Sequence, residues 1–374
     1  EACYINLKET MKNIKIFDLK EKYNVIAKDI QTKINTVLSS GQYILGENVK
    51  SFESKVAVFL NVKHAISCNS GTDALILSLK ALGIKNGDEI ITTPFTYFAT
   101  IEAIIHVGAK PIFIDINPHT FNINHKKIES AITKKTKALL LVHIFGQACN
   151  MHEINNVCKK NNIKIIEDCA QSFGATFNKK FTGAFGEFGC FSFFPTKNLG
   201  CYGDGGIITT NNDKAAKFLK MLRNHGGLER NKHLYVGYNS RLDEVQAAVL
   251  LVKLKYIKKY IKMRRLIAST YSKIINNEKI KIPYQQKNAV HTYNQYTIRT
   301  KNRLKLMNHL RNYKIPFSIY YPQPMYKVDA IKKQYKNHKL KCSEIVSREC
   351  LSLPIYPEMK IRDAEYVSNI INKF

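Results

Sequence analysis

Uninterrupted apolar runs of about 18 residues are missing from this sequence, which argues against a membrane-spanning helix. Residues 1–15 mix charged and polar groups without an apolar stretch, so no secretory signal is expected there. No Cys-x-x-Cys pair and no clustered Cys/His spacing occurs, so no metal site is expected. The nine cysteines are an odd number and scattered, with Cys68, Cys169 and Cys190 in strand-like contexts. Paired disulfides are therefore not expected, and a reducing cytoplasm is the expected compartment. Internal repeats and low-complexity linkers are absent too. Acidic residues are scarce: 29 Asp and Glu stand against 58 Lys and Arg, a formal charge of +29 over 374 residues. The basic residues lie along nearly every polar face rather than in one arm, and Ile, Asn and Tyr are abundant. That bias fits an A/T-rich genome, and no helix-turn-helix, zinc finger or aromatic RNA platform accompanies it. Nucleic acid is accordingly not an expected partner, although a positive surface would attract an anionic nucleotide.

What is present is an α/β rhythm. Between residues 64 and 210, short β-branched runs alternate with amphipathic segments, the pattern of a mainly parallel sheet covered by helices on both faces. Strands are expected at 64–68, 89–93, 111–116, 138–142 and 163–167, with an antiparallel pair at 189–193 and 206–210. Helices are expected at 73–82, 99–107, 125–132, 152–161, 213–225 and 243–261. Beyond about 263 a smaller α+β unit follows, with a strand near 293–299, a helix near 303–313 and terminal helices. The expected division is a large domain over 13–255, a small one over 256–374, and an N-terminal extension over 1–12.

The chemistry concentrates in two places. Lys197 sits in the aromatic loop Phe193-Phe194-Pro195-Thr196-Lys197-Asn198-Leu199-Gly200, bounded by Pro and Gly. Burial among apolar groups disfavours an ammonium ion, so such an amine is a Schiff-base candidate near neutral pH. Asp168 follows the strand-like run 163–167, at the edge where a doubly wound sheet presents its chemistry. A Schiff-base lysine with a carboxylate for a pyridinium nitrogen is the pair that pyridoxal 5′-phosphate (PLP) requires. Glu167, its neighbour, faces the opposite side if the strand alternates. Gly71-Thr72 opens a helix straight after a strand, a seat for phosphate at a helix N-terminus; an ordinary N-cap would explain Thr72 equally.

These segments resemble the DegT-type (DegT/DnrJ/StrS) nucleotide-sugar aminotransferases, a PLP family of fold type I. The likeness rests on Asp168-Cys169-Ala170-Gln171, on residues 191–200 followed by Gly203-Asp204-Gly205-Gly206, and on Asn69-Ser70-Gly71-Thr72-Asp73. Gly41-Gln42-Tyr43-Ile44-Leu45-Gly46 and Asn239-Ser240-Arg241-Leu242-Asp243 match as well, all in the family's order from about Ile16 onward. The resemblance implies an aspartate-aminotransferase-like fold and a homodimer with shared active sites. It implies that Lys197 carries the cofactor and moves a proton, and that Asp168 meets the ring nitrogen. Gly71, Thr72 and Ser192 would hold the phosphate, Tyr97 would stack on the ring (with Phe95 and Phe98 as rivals), and Gln171 would reach the phenolic oxygen. Asn239 would touch the partner's cofactor phosphate, and Arg241 an anionic substrate group or, as a plain alternative, an interdomain salt bridge. Tyr320-Tyr321 resembles the family's substrate loop, where a histidine often replaces Tyr320; a core role for these aromatics is the alternative.

Related sugar 3-dehydratases carry histidine at the lysine position, so Lys197 implies transamination, with L-glutamate as amino donor. Residues 199–206 and 41–46 are most similar to members acting on UDP-2-acetamido-2-deoxy-3-oxo-glucuronate, which implies a UDP-3-keto sugar and surface polysaccharide or glycan biosynthesis. A UDP- or dTDP-linked 4-keto-6-deoxy sugar is the nearest alternative acceptor. A catalytically inactive PLP-binding regulator is the alternative from another class.

Overall fold

A computed structural model describes residues 14–229 and 231–374; the extension expected over 1–12 lies outside them. Helices α1 (Leu19–Ser40) and α2 (Glu47–Leu60) come first, followed by β1 (His64–Cys68), α3 (Gly71–Ala81), β2 (Glu89–Thr92), α4 (Phe98–His106) and β3 (Lys110–Phe113). Next are β4 (Thr136–Val142), α5 (Met151–Lys160), β5 (Lys164–Asp168), the short β6 (Thr176–Phe177) and β7 (Lys180–Phe181), then β8 (Phe188–Ser192) and β9 (Gly206–Thr210). The remainder comprises α6 (Asp213–Leu222), α7 (Glu244–Ile274), β10 (Ala289–Val290), β11 (Tyr296–Arg299), α8 (Arg303–Asn312), α9 (Lys341–Glu349), β12 (Cys350–Leu353) and α10 (Ile361–Asn372).

Seven strands form the central sheet in the order β1-β9-β8-β5-β4-β2-β3. Neighbours from β3 through β8 pair parallel, while β9 runs antiparallel to both β8 and β1. The sheet is covered on both faces, so its strands read as apolar runs rather than as alternating ones. Period 2 still sorts the side chains. Ile66, Ile90, Leu140, Ile166 and Ile208 pack with Leu75, Ile104 and Leu219 from α3, α4 and α6. Phe191 and Ile207 meet α2 and α7 on the other face, where Leu139, Leu141 and Ile165 meet α5. This is the fold type I arrangement expected from the sequence.

Two expectations change. The helix expected at 125–132 is two separate 3₁₀ turns, His125–Lys127 and Glu129–Ala131. The segment offers one fully buried apolar residue, Ile128, too little to repay helix nucleation over so short a run. The helix expected to stop at 261 continues to Ile274. Ile267, Ala268 and Tyr271 extend its apolar seam into a second core with Tyr296, Ile298, Leu306, Leu353 and Val367. α7 therefore enters both the sheet's core and the C-terminal core, and residues 255 and 256 lie inside it.

Candidate active site

The site forms at the carboxyl edge of the parallel strands, where chain reversals gather loops from several units. β5 ends on Asp168, whose carboxylate is buried. Thr100, in the first turn of α4, donates to Asp168 Oδ2 at 2.8 Å, and the Ala170 backbone N–H donates to Oδ1 at 3.1 Å. Burial raises the Asp168 pKa above the ordinary carboxyl value, opposed by those two hydrogen bonds and by the charge of Lys197. Glu167 does face the other side of the sheet. There it accepts from Gly183 N and His143 Nε2 on one oxygen, and from Phe185 N and Gly186 N on the other. The N–H of Cys149 donates to His143 Nδ1, which leaves the proton on Nε2. His143, Glu167 and Cys169 come within 4.8 Å of one another, but both carboxylate oxygens are already taken up by hydrogen bonds.

Lys197 lies in the loop between β8 and β9. Its N–H donates to Phe194 O, and Cys201 N returns to Phe193 O, so the loop closes on itself at the sheet edge. Desolvation holds the Lys197 amine below the ordinary lysine value, and the nearby Asp168 charge opposes the shift. The amine is thus eased toward its neutral, nucleophilic form.

Between β1 and α3, Ser70 is the N-cap and accepts from Asp73 N at 3.0 Å, which leaves the Gly71 and Thr72 N–H groups uncapped by it. Thr72 is therefore not the cap. Gly71 is required by proximity: a Cβ there would come within 2.6 Å of Ser192 Cβ. The bare backbone lets the positive end of α3 meet the Ser192 hydroxyl at the end of β8, a cradle for a phosphate.

A cavity of about 660 Å³ brings together Gly71, Thr72, Tyr97, Asp168, Gln171, Ser192, Lys197, Tyr320 and Tyr321. Of the three rival aromatics, Phe95 is core and Phe98 packs against it, whereas Tyr97 lines the cavity, 64% exposed. Gln171 is held in place: its Oε1 accepts from Phe145 N at 2.7 Å and its Nε2 donates to the Tyr321 hydroxyl at 3.0 Å. Burial pushes the Tyr321 phenol well up, so it stays neutral. Asn239 and Arg241 do not line this cavity. Asn239 bridges to Asn224, and Arg241 Nη1 donates to Asn224 Oδ1 at 3.0 Å. Ser240 between them donates to Asp73 Oδ2 at 2.5 Å, which pins their segment beside the start of α3.

Sequence reasoning missed Phe17, Thr96, Thr100, Gln295 and Ile319, which also line the cavity. Thr96 and Thr100 carried a signal, a four-residue spacing at a helix start after a strand; the others arrive from distant parts of the chain. A helix terminus whose Gly71 and Thr72 N–H groups the Ser70 cap leaves free, a nearby hydroxyl, a buried carboxylate and a desolvated lysine around one cavity form a set that fits PLP.

The DegT/DnrJ/EryC1/StrS aminotransferase family matches residues 24–372. The chain is 40% identical over 366 residues to a Geobacillus stearothermophilus protein named pleiotropic regulatory protein, covering 97% of this chain and 98% of that one. It is 40% identical to the UDP-2-acetamido-2-deoxy-3-oxo-D-glucuronate aminotransferase of Pseudomonas aeruginosa, covering 92% of this chain and 95% of the relative. With the dTDP-3-amino-3,6-dideoxy-alpha-D-galactopyranose transaminase of Aneurinibacillus thermoaerophilus it shares 41% identity, over 96% of this chain and 99% of the relative. The crystal structure of S. venezuelae DesV in complex with a ketimine intermediate superposes with a TM-score of 0.94 at 34% identity, covering 96% of this chain and 98% of DesV. The chain therefore belongs to the DegT/DnrJ/EryC1/StrS aminotransferase family and is, like its members, a PLP-dependent sugar aminotransferase.

Proposed function

We propose that the protein transfers the amino group of L-glutamate to carbon 3 of a nucleotide-linked 3-keto sugar, UDP-linked in the favoured case, in the cytoplasm and for surface polysaccharide or glycan biosynthesis. The observation that carries the chemistry is that Lys197 and Asp168 line one cavity with Gly71 and Thr72 at the start of α3. The choice of carbon is supported by the P. aeruginosa and A. thermoaerophilus relatives, whose names both put the reacting group at position 3 on different nucleotides. Among the described residues no helix is long and apolar enough to cross a membrane.

Each residue then has a task. Gly71 N–H, Thr72 and Ser192 bind the phosphate, and Tyr97 covers the ring from the rim. Gln171, already fixed by Phe145 and Tyr321, offers its remaining amide hydrogen to the phenolic oxygen. Asp168, ionised with help from Thr100 and Ala170, keeps a proton on the ring nitrogen. Bound there, PLP supplies an electron sink for the bond that breaks at the substrate carbon. Lys197 Nζ takes the proton from that carbon and delivers it again, the same amine serving as base and as acid. Tyr320 and Tyr321 wall the substrate side. Asn239 and Arg241 complete the cavity of a second copy, so the active unit is a homodimer; exposed Leu234, Tyr235 and Val236 nearby support such a contact.

The test is to incubate the protein with L-glutamate and a panel of 3-keto and 4-keto UDP- and dTDP-sugars and identify products by mass spectrometry. Amination of a 3-keto sugar is expected; turnover of 4-keto sugars alone would overturn the assignment. The G. stearothermophilus relative's name favours a second reading, a PLP-binding regulator without turnover. Release of 2-oxoglutarate from glutamate, one equivalent per site, rejects it.

A further inference from the structure

Behind the Lys197 loop, on the side away from the cavity, the interior holds more positive charge than it balances. Lys22 of α1 is 4% exposed, and Lys253 and Arg264 of α7 are 1% and 3% exposed. Lys22 Nζ lies 3.4 Å from Asn198 O and 4.6 Å from the centre of the Tyr260 ring. Lys253 Nζ donates to Gly200 O at 2.6 Å and stands 3.8 Å above the Tyr202 ring. Arg264 spends Nη1 on the carbonyls of Tyr293, Asn294 and Ile355. Elsewhere a buried arginine meets a carboxylate, as Arg223 does Glu53 and Arg299 does Glu349. Among the described residues, Lys22, Lys253 and Arg264 have no carboxylate at salt-bridge distance.

The same region concentrates polar atoms that hydrogen-bond to nothing. Both amide atoms of Asn198, the Tyr260 hydroxyl, Arg264 Nε and Glu358 Oε2 are buried without a partner. Asn198 is itself 2% exposed. Native interiors leave few such atoms, and a cluster of them points to an occupant. Of these atoms Asn198 Nδ2, the Tyr260 hydroxyl and Arg264 Nε can donate while Asn198 Oδ1 and Glu358 Oε2 accept, and the Lys22 ammonium beside them has further hydrogens to give. Three cations against one carboxyl group, Glu358, is a costly interior. Burial and then the Arg264 charge press Lys22 down to about 8, and burial and then the Lys22 charge press Lys253 down to about 7.

We propose that this region binds a small monovalent anion of halide size, held by Lys22, the Asn198 amide, Tyr260 and Arg264. The anion adds the negative charge that Glu358 alone does not supply and takes up the orphaned donors. It also steadies the back of the loop that carries Lys197, because Asn198 and Gly200 contribute their carbonyls to the same two lysines. None of these residues lines the cavity that holds Asp168 and Lys197, so the anion is separate from cofactor and substrate.

The experiment uses the full chain and sodium bromide. Crystals grown in bromide are expected to show an anomalous peak in contact with Lys22 Nζ and the Asn198 amide; water density without anomalous signal there overturns the proposal. In solution, replacing gluconate by bromide at constant ionic strength is expected to raise Tm by about 1–3 °C. Asn198→Asp supplies a built-in carboxylate, so its Tm is expected not to respond to bromide, and an undiminished response overturns the proposal. Should that variant not fold, Tyr260→Phe removes a single donor and is expected to weaken the bromide midpoint about fivefold. An unchanged midpoint in Tyr260→Phe contradicts the site.

Discussion

Thr100 donates its hydroxyl hydrogen to Asp168 Oδ2 across 2.8 Å, tying the first turn of α4 to the end of β5. Thr96 Oγ1 lies 2.8 Å from Thr100 Oγ1, so the carboxylate ends a short chain of hydroxyls. A buried carboxylate that loses a donor becomes harder to ionise. Thr100→Val leaves the Ala170 N–H as the remaining direct hydrogen bond and is expected to weaken PLP affinity about tenfold. Thr100→Ser should restore it. Fluorescence titration of the cofactor-free protein measures both, and unchanged affinity in the valine variant counts against the role given to Asp168.

Gly71 has no room for a side chain. With its Cβ set 2.6 Å from Ser192 Cβ, Gly71→Ala must push α3 away from β8. Overpacking of this kind costs about 1–3 kcal/mol. Urea denaturation should register that loss, and PLP affinity should fall because the helix terminus and the Ser192 hydroxyl no longer converge.

The homodimer reading makes an arithmetical prediction. Lys197→Ala removes the amine and Asn239→Ala removes the group proposed to reach the partner's cavity, so each variant alone should be inactive. After mixing and reassembly, half of the dimers combine one of each and carry a single intact site. About a quarter of the wild-type activity should then return. No recovery would overturn the role proposed for Asn239 across a dimer interface.

Asp115 couples the loop after β3 to the start of α9. Burial alone would raise its pKa, but the Ser343 hydroxyl and the Cys342, Ser343 and Ile116 N–H groups outweigh that and hold it below the ordinary carboxyl value. A folded pKa below the unfolded one adds stability above the unfolded value and loses it as pH falls through the folded value. Stability should therefore decline below about pH 4, and Asp115→Asn should flatten that acid limb while costing about 1–3 kcal/mol near neutrality. Chemical denaturation across pH measures both; an unchanged acid limb would show that Asp115 is not its source.

The sheet was legible because strands covered on both faces carry β-branched and leucine runs, as in Leu139-Leu140-Leu141-Val142 of β4. The Lys197 loop was legible because Pro195 and Gly200 bracket the lysine directly after the aromatic pair Phe193-Phe194. α1 and α2 passed without notice. Ile26, Ile30 and Val37 mark the buried seam of α1, but lysines and asparagines surround it and only packing on α7 completes the face. The 125–132 segment misled because its spacing suits a helix that its burial cannot sustain. No pattern distinguishes Lys22 and Lys253 from the other basic residues, since their burial is decided by the meeting of α1 and α7. Asn239 and Arg241 could be matched to a motif, but they do not line the cavity, and the role proposed for them needs a second chain.

The 31-residue span of α7 has a mechanical consequence. The proposed division between residues 255 and 256 falls where the chain is continuously hydrogen-bonded, so no swivel joins the two halves at that point. Opening and closing over a sugar must flex a rod or slide its packed flanks, which favours small strokes over wide ones. Severing the polypeptide there would strand half of one apolar seam on each piece, so neither fragment should be soluble by itself.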